Sequence, residues 1–486
     1  MRALSQWIKP FLIIITVLYT ILLGYTLSSD LLSTFYILIA IPFILIAIYV
    51  YLYHTDHLFH LLAISLPFSL NLRDVGLGVG LSIPAELITV ILAIAVVTKI
   101  LTKYDDLREI FFHPIAILIY VHLGWLLITT ITSSLFVVSL KFVVIRTIYI
   151  MVYYLYTAFL FKKEFFIKSF IWLYTLGLSI VIAIVFKKHW ALGLGQETSN
   201  KISYPFYDDH TIYAACIVMM IPLVIALFYM YHRKSILRWG IWLLFFMLIV
   251  GLVHSYSRAG WISLTGIGVG WIVFKFKISF QQVILTLVLL VGLGIYNGSS
   301  LLDNLQSNNK DSGGSVLEHA QSASNISTDA SNTERINRWM CALRMVNDKP
   351  FVGFGPGTYM FQYGKFQKRA EMTIISVRDG SWGGVHSEYL KPLSESGYLG
   401  LLTFLTFIFY PIKIGMDTLY ELEDKKTKTL LVATILSFVS YLIHGFVNFF
   451  LDTDKSSILF WAMLAIITVI HIEHKKKKQL KQDLTD

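Results

Sequence analysis

Three arginines and one histidine are the residues of this sequence whose types and spacing could do chemistry. Arg258 lies between two apolar runs, and Arg335 and Arg338 are three positions apart, so they are neighbours on one helix face. His386 precedes the next hydrophobic run. Guanidinium groups bind phosphate oxygens through paired hydrogen bonds, and a neutral imidazole accepts a proton near neutral pH. The set indicates work on an anionic substrate.

Each of these residues also has a structural explanation. An arginine at the membrane edge can extend its guanidinium to lipid headgroups, and an arginine pair on a helix is commonly a solvated face. A lone histidine is more often structural than catalytic. On residue type alone, all four therefore remain candidates for both roles.

A glycine-rich segment and several neighbouring residues complete the candidate site. Gly353, Gly355 and Gly357 form a turn on any interpretation, and their amides are also candidates for phosphate binding. Glu388 and Glu395 follow His386 closely and are candidates to orient it. Glu388 and Trp261 are further substrate-binding candidates.

Two acidic clusters could hold a divalent ion against a diphosphate. They are Asp208-Asp209-His210 and Asp452-Thr453-Asp454. Both precede apolar runs, where acidic residues commonly cap a helix and complement its dipole. We favour capping, and we expect no metal and no cofactor.

The elements that position these residues are membrane helices. The 486 residues are 56% hydrophobic and only 14% charged, which is typical of a polytopic membrane protein. The net charge of +10 does not indicate nucleic acid, because most basic residues lie in short loops between apolar runs. The two cysteines, Cys216 and Cys341, lie far apart and predict neither a disulfide framework nor a thiolate metal site.

The apolar runs predict an all-α protein with about 12–14 transmembrane helices, since a span needs roughly 20 residues. The predicted spans are 10–28, 32–53, 57–72, 83–102, 114–134, 142–161, 168–187, 211–231, 237–255, 260–275, 279–297, 395–415, 429–448 and 456–473.

The distribution of basic residues predicts the orientation in the membrane. Lys and Arg concentrate in alternate short loops and in the C-terminal tail, so both termini are expected in the cytoplasm. Four regions follow: N-terminal helices (1–297), a long external loop (298–394), C-terminal helices (395–474) and a basic tail (475–486). Within the loop, 303–332 reads as mobile, and an apolar stripe predicts a helix over 332–347.

The combination of motifs resembles the O-antigen ligase and polymerase superfamily of bacterial envelope enzymes. It covers roughly residues 200–460. The motifs are Ser257-Arg258-Ala259-Gly260-Trp261, Arg335 with Trp339 and Ala342-Leu343, Pro350-Phe351-x-Gly353-x-Gly355-x-Gly357, and His386-Ser387-Glu388-Tyr389-Leu390 with Glu395-x-Gly397-x-x-Gly400.

This resemblance implies a metal-independent transferase at the periplasmic face of the bacterial inner membrane. The donor would be a glycan on undecaprenyl pyrophosphate, and the acceptor a lipid A–core sugar or another glycan. The catalytic residues would be Arg258 and Arg335, which contact the pyrophosphate, and His386, which activates the acceptor for an inverting attack. Arg338 is the rival for the second arginine and a substrate-binding candidate, and the spacing to Trp339 favours Arg335. The alternatives are an O-antigen or exopolysaccharide polymerase, a protein O-oligosaccharyltransferase, and a non-enzymatic transporter of lipid-linked glycans.

Overall fold

The computed structural model describes residues 55–71, 81–195, 198–199, 202–296, 330–373, 376 and 383–484, together with Tyr19 and Leu22. The chain divides into two compact units, Met1–Phe59 and His60–Asp486. The predicted spans 10–28 and 32–53 lie outside the described residues, apart from Tyr19 and Leu22. The predicted mobile segment 303–332 also lies outside the described residues, except for its last three residues, 330–332.

The apolar runs form helices because a helix satisfies every backbone polar group within one segment. The described helices before the long loop are α1 (Thr55–Ser65), α2 (Ala85–Thr102), α3 (Tyr104–Phe111), α4 (Pro114–Ile131), α5 (Phe136–Phe161, with a π-helical stretch at Ile150–Tyr156), α6 (Glu164–Ala191), α7 (His210–Met230), α8 (Leu237–His254), α9 (Arg258–Lys275) and α10 (Phe280–Tyr296).

The long loop and the C-terminal region are also helical. They contain α11 (Ala330–Asp348), α12 (Tyr359–Gln362), 3₁₀ turns at Tyr363–Phe366 and Arg369–Glu371, α13 (Leu390–Glu421), α14 (Lys425–Val447) and α15 (Asp454–Asp483). The helix predicted over 332–347 is confirmed as α11.

The predicted all-α membrane fold is confirmed. In the described part of the chain, nine helices are long and apolar enough to cross a membrane, namely α2, α4–α8 and α13–α15. Helices α9 and α10 lie where two further spans are predicted.

The segment predicted as the third span, 57–72, has a different structure. It contains α1, a 3₁₀ turn at Leu66–Phe68, and the strand β1 (Leu70–Asn71), which pairs antiparallel with β2 (Ser82–Ile83) so that Leu70 faces Ile83. Pro67 lacks the N–H that a continuing helix would need. At 11 residues, α1 is about 16 Å long, well short of a bilayer core of about 30 Å.

Glycines bring α9 close to α14 and α7. A Cβ added at Gly270 would lie 2.7 Å from Leu436, and one at Gly266 would overlap Ile443. Near the start of α9, a Cβ added at Gly260 would lie 3.3 Å from the Cβ of Ala214 in α7. Small residues allow such close approach of membrane helices. The N-terminal ends of α7 and α9 therefore lie side by side.

Helix α15 is enclosed by its neighbours. Every residue from Ile458 to Ile470 is buried. Two of its polar groups pair with neighbouring helices: the Tyr174 hydroxyl donates to the Lys455 carbonyl at 2.8 Å, and the hydroxyls of Tyr154 and Thr468 are 3.0 Å apart. Helix α15 thus forms a central element of the bundle.

Candidate active site

Arg258 is the first residue of α9, and the turn before it fixes its position. Ser257 caps the helix, because its hydroxyl accepts a hydrogen bond from the Gly260 amide at 3.2 Å. Tyr256 adopts a left-handed conformation with φ 49°, and its hydroxyl donates to the Leu194 carbonyl at 2.9 Å. The half-buried Arg258 therefore lies at a helix start, where the helix dipole favours anions.

Arg338, in α11, is held by the protein. Its side chain is only 4% exposed, its Nε donates to Glu334 Oε1 at 2.7 Å, and its guanidinium lies 4.1 Å from the centre of the Tyr363 ring. Gly383 leaves the space that this guanidinium occupies. The geometry gives Arg338 a structural ion pair, and its assignment to substrate stays a prediction.

Arg335 differs from Arg338 in its surroundings. It is half-buried, and its charge acts on the imidazoles of both His386 and His444. The charge of Arg338 acts on His386 as well, but among the charges that act on His444 only Arg335 comes from α11. The choice of Arg335 as second arginine stays a prediction.

His386 is held in a strained backbone conformation just before α13. Its φ is 53°, which L-residues rarely adopt. The indole N–H of Trp339 donates to its carbonyl at 3.1 Å, and its ring packs edge-on against Phe449, with centroids 6.1 Å apart. These contacts fix the imidazole between the loop and the bundle.

The electrostatic surroundings of His386 favour its neutral form. Burial, followed by the positive charge of Arg335, lowers the pKa of His386 to about 4, against the opposing effect of Asp209. The imidazole is therefore neutral at neutral pH and has a nitrogen that can accept a proton.

Asp209 caps α7, as the capping interpretation predicts. Its Oδ1 accepts from the Thr211 amide at 2.8 Å and lies 3.2 Å from Nδ1 of His210. Although burial opposes ionisation, the contacts with His210 and Thr211 hold the pKa of Asp209 well below its usual range. A fixed negative charge thus stands near His386.

Glu388 and Glu395 bind backbone amides instead of orienting His386. Oε1 of Glu388 accepts from the amides of Phe450 and Leu451 at 2.6 and 2.7 Å. No contact joins His386 to either carboxylate within the described residues. The expectation that they orient His386 is therefore corrected, because both carboxylates serve the turns that face them. A role for Glu388 toward substrate stays a prediction.

The glycine turn packs against the first turns of α13, where Gly397 interrupts the helix with a φ of 71°. Gly353, Gly355 and Gly357 all have positive φ, at 64°, 106° and 75°. The carboxylate of Glu395 accepts from the amides of Gly357 and Tyr359 at 2.9 and 3.0 Å. The Gly355 amide donates to the Glu395 carbonyl at 2.8 Å and the Gly353 amide to the Lys349 carbonyl at 3.1 Å. These amides are occupied within the protein, so phosphate binding by them stays a prediction.

Trp261 lies one turn after Arg258 in α9. Its side chain is 44% exposed. The structure leaves its indole open to lipid or substrate, and its assignment to substrate stays a prediction.

A half-buried charge cluster is a feature that the sequence analysis did not predict. Asp452 bridges Arg146 of α5 and Lys391 of α13, with one carboxylate oxygen on each. A cavity beside them is lined by Glu388 and Glu395 as well. The one available signal was Arg146, a charge inside an apolar run. The described residues include no group of three or more His, Cys, Asp or Glu placed to hold a metal ion.

Part of this chain is similar to known proteins. Residues 242–405 match a family model described as O-antigen ligase. This range contains Arg258, Arg335, the glycine turn and His386, whereas Asp209 and His444 lie outside it. The chain is also 25% identical over 231 residues to an uncharacterized protein of Haemophilus influenzae, covering 44% of this chain and 52% of that relative. It thus spans about half the length of the curated relative that it matches.

Proposed function

We propose that this chain is a membrane glycosyltransferase, because residues 242–405 match a family model described as O-antigen ligase and the chain is a multi-pass membrane protein. It transfers a glycan from undecaprenyl pyrophosphate to an acceptor hydroxyl, with a lipid A–core sugar as acceptor. The observation that carries the proposal is that His386, which packs against Phe449 just before α13, lies within the electrostatic influence of Arg335 and Asp209, which come from distant parts of the chain.

On the donor side, Arg258 and Arg335 hold the pyrophosphate. Breaking the anomeric C–O bond leaves negative charge on the departing pyrophosphate, and fixed guanidinium groups stabilise that charge in a site poor in water. Two arginines thereby supply the positive charge that a divalent ion supplies in other transferases.

On the acceptor side, His386 takes the proton. The acceptor oxygen forms a bond to the anomeric carbon as the bond to the pyrophosphate breaks, and the hydroxyl proton moves to the neutral imidazole. Attack opposite the leaving group inverts the anomeric centre. The site faces the periplasm in the inner membrane, in keeping with the distribution of Lys and Arg.

The test is the fate of the lipid-linked glycan in a strain that lacks the gene. The strain is complemented at matched expression with wild type, His386→Ala, Arg335→Gln, or Lys368→Ala, which removes an exposed cation from the same loop. We expect His386→Ala and Arg335→Gln to lower transfer by about 100-fold or more, and Lys368→Ala to transfer like wild type.

The form of the accumulated glycan separates the functions. Full-length polymer on the lipid carrier and none on lipid A–core identifies a ligase. Single repeats attached to the core identify a polymerase, and loss of glycan from protein identifies a protein glycosyltransferase. Transfer at the wild-type rate by His386→Ala would overturn the mechanism.

A further inference from the structure

His444 is a buried histidine whose ring nitrogens both lack a hydrogen-bond partner among the described residues. It lies near the end of α14 and is only 1% exposed. A neutral imidazole carries one donor and one acceptor, and a buried polar group left unpaired destabilises the protein. Two other histidines of the spans do have partners within the protein: Nδ1 of His122 lies 3.0 Å from the Thr403 hydroxyl, and Nδ1 of His471 lies 2.9 Å from the Thr418 hydroxyl.

The charged surroundings of His444 are those of the candidate active site. Arg335, Asp209 and His210 act on its imidazole, and Arg335 and Asp209 act on His386 as well. The two rings also rest on consecutive aromatic residues, His386 against Phe449 and His444 against Phe450, with centroids 6.1 and 5.2 Å apart. His444 therefore approaches the site from within the helix bundle, and His386 from the loop.

We propose that His444 is a second substrate-contacting histidine, whose ring N–H donates to a phosphate oxygen of the polyprenyl pyrophosphate beside Arg335. This inference rests on the proposed function. The neighbouring charges favour a phosphate over an acceptor hydroxyl, because Arg335 supplies a cation and Asp209 is already engaged by His210 and the Thr211 amide. A neutral imidazole adds a donor to this site without adding charge.

The test is the affinity of the purified full-length protein in detergent for undecaprenyl pyrophosphate. His444→Phe keeps the aromatic contact with Phe450 and removes both nitrogens, and His444→Gln restores an N–H donor. We expect His444→Phe to bind about 10- to 100-fold more weakly than wild type, since one hydrogen bond to a charged group is lost. His444→Gln should recover most of that loss.

The matched control is His471→Phe. His471 lies in α15, about 25 Å along the helix from its first residue, Asp454. Its substitution should therefore leave the affinity unchanged. Equal affinity of His444→Phe and wild type would overturn the proposal, as would unchanged donor affinity with a raised KM for the acceptor. A wild-type protein that does not bind undecaprenyl pyrophosphate would instead refute the proposed function, before any variant is compared.

Discussion

His386 is electrostatically coupled to the arginine that we assign to the donor. In the free protein, burial and Arg335 lower the pKa of His386 to about 4, from an ordinary value of 6.5. A base of such low pKa is weaker than one whose pKa lies near the operating pH. A pyrophosphate beside Arg335 would offset the arginine's charge and raise the pKa of His386. The base would therefore strengthen once the donor is bound.

The pH dependence of transfer tests this coupling. In the plot of kcat/KM for the donor against pH, which reports the free enzyme, we expect the acid limb to have its midpoint at about 4. In the plot of kcat, which reports the bound complex, the limb should lie at higher pH. In both plots the rate falls as pH falls, because protonation removes the acceptor nitrogen.

The charged groups that face His386 define the controls for this measurement. They are Arg335, Arg338 and Glu334 on the side of α11, and Asp209 at the start of α7. Asp209→Asn removes a negative charge that raises the pKa of His386. The acid limb of kcat/KM should therefore move to lower pH. Limbs of kcat and kcat/KM that coincide would show that donor binding does not act on the base.

Sequence reasoning reached some of these residues and missed others for physical reasons. Arg335 and His386 belong to motifs in polar segments, where a charged or titratable residue is easily recognised. His444 lies inside an apolar run, and the sequence does not show which groups face it. The hydrogen-bond partners of Glu388 were equally unpredictable. They are the backbone amides of Phe450 and Leu451, more than 60 residues later in the chain.

At the scale of elements, the glycine turn and the break in α13 form one unit. Gly397 has φ 71° inside α13, and the Tyr398 amide donates to the Pro350 carbonyl at 2.9 Å. The Phe354 amide donates to the Ser394 carbonyl at 3.3 Å. The turn itself was predictable from its glycines. Its docking was not predictable. The hydrogen bonds that hold the turn come from the interrupted part of α13, and a single glycine at position 397 does not by itself predict that a helix is interrupted there.

Gly397→Ala tests this unit. A Cβ at position 397 would overlap the carbonyls of Phe351 and Pro350. The backbone there, with φ 71° and ψ −170°, is open essentially to glycine alone and costs an L-residue roughly 1–3 kcal/mol. We expect a clear fall in Tm of the detergent-solubilised protein, with loss of transfer because His386 precedes the same helix.

Gly268→Ala is the matched control for that substitution. Gly268 lies in α9 with open space around its added Cβ, and alanine favours a helix by up to about 1 kcal/mol over glycine. Its Tm should equal or slightly exceed that of wild type. A Gly397→Ala protein as stable as this control would show that the turn is not docked as described.

At the scale of the whole molecule, the apolar runs predicted most of the helices. The bounds of α4, α7 and α8 agree with the predicted spans to within a few residues, because a membrane span is set by length and composition alone. The structure of the segment 57–72 was harder to predict, because an apolar run can form a short helix and a turn as well as a membrane span.

The orientation of the chain is testable with single cysteines. Lys368, in the long loop, and Lys477, near the end of α15, are both exposed, and Cys216 and Cys341 are buried. In spheroplasts, we expect a membrane-impermeant maleimide to label Lys368→Cys. It should label Lys477→Cys only after the membrane is permeabilised. The reverse pattern would place the candidate site in the cytoplasm.

The enclosure of α15 has a consequence for how the protein is made. Of the described helices, α15 leaves the ribosome last, yet its residues from Ile458 to Ile470 are buried on all sides. The earlier helices can therefore reach their final packing only when this helix has been made. Because α13 and α14 pack against α15, His386 and His444 gain their final surroundings only at that stage, and a nascent chain released early would lack its core.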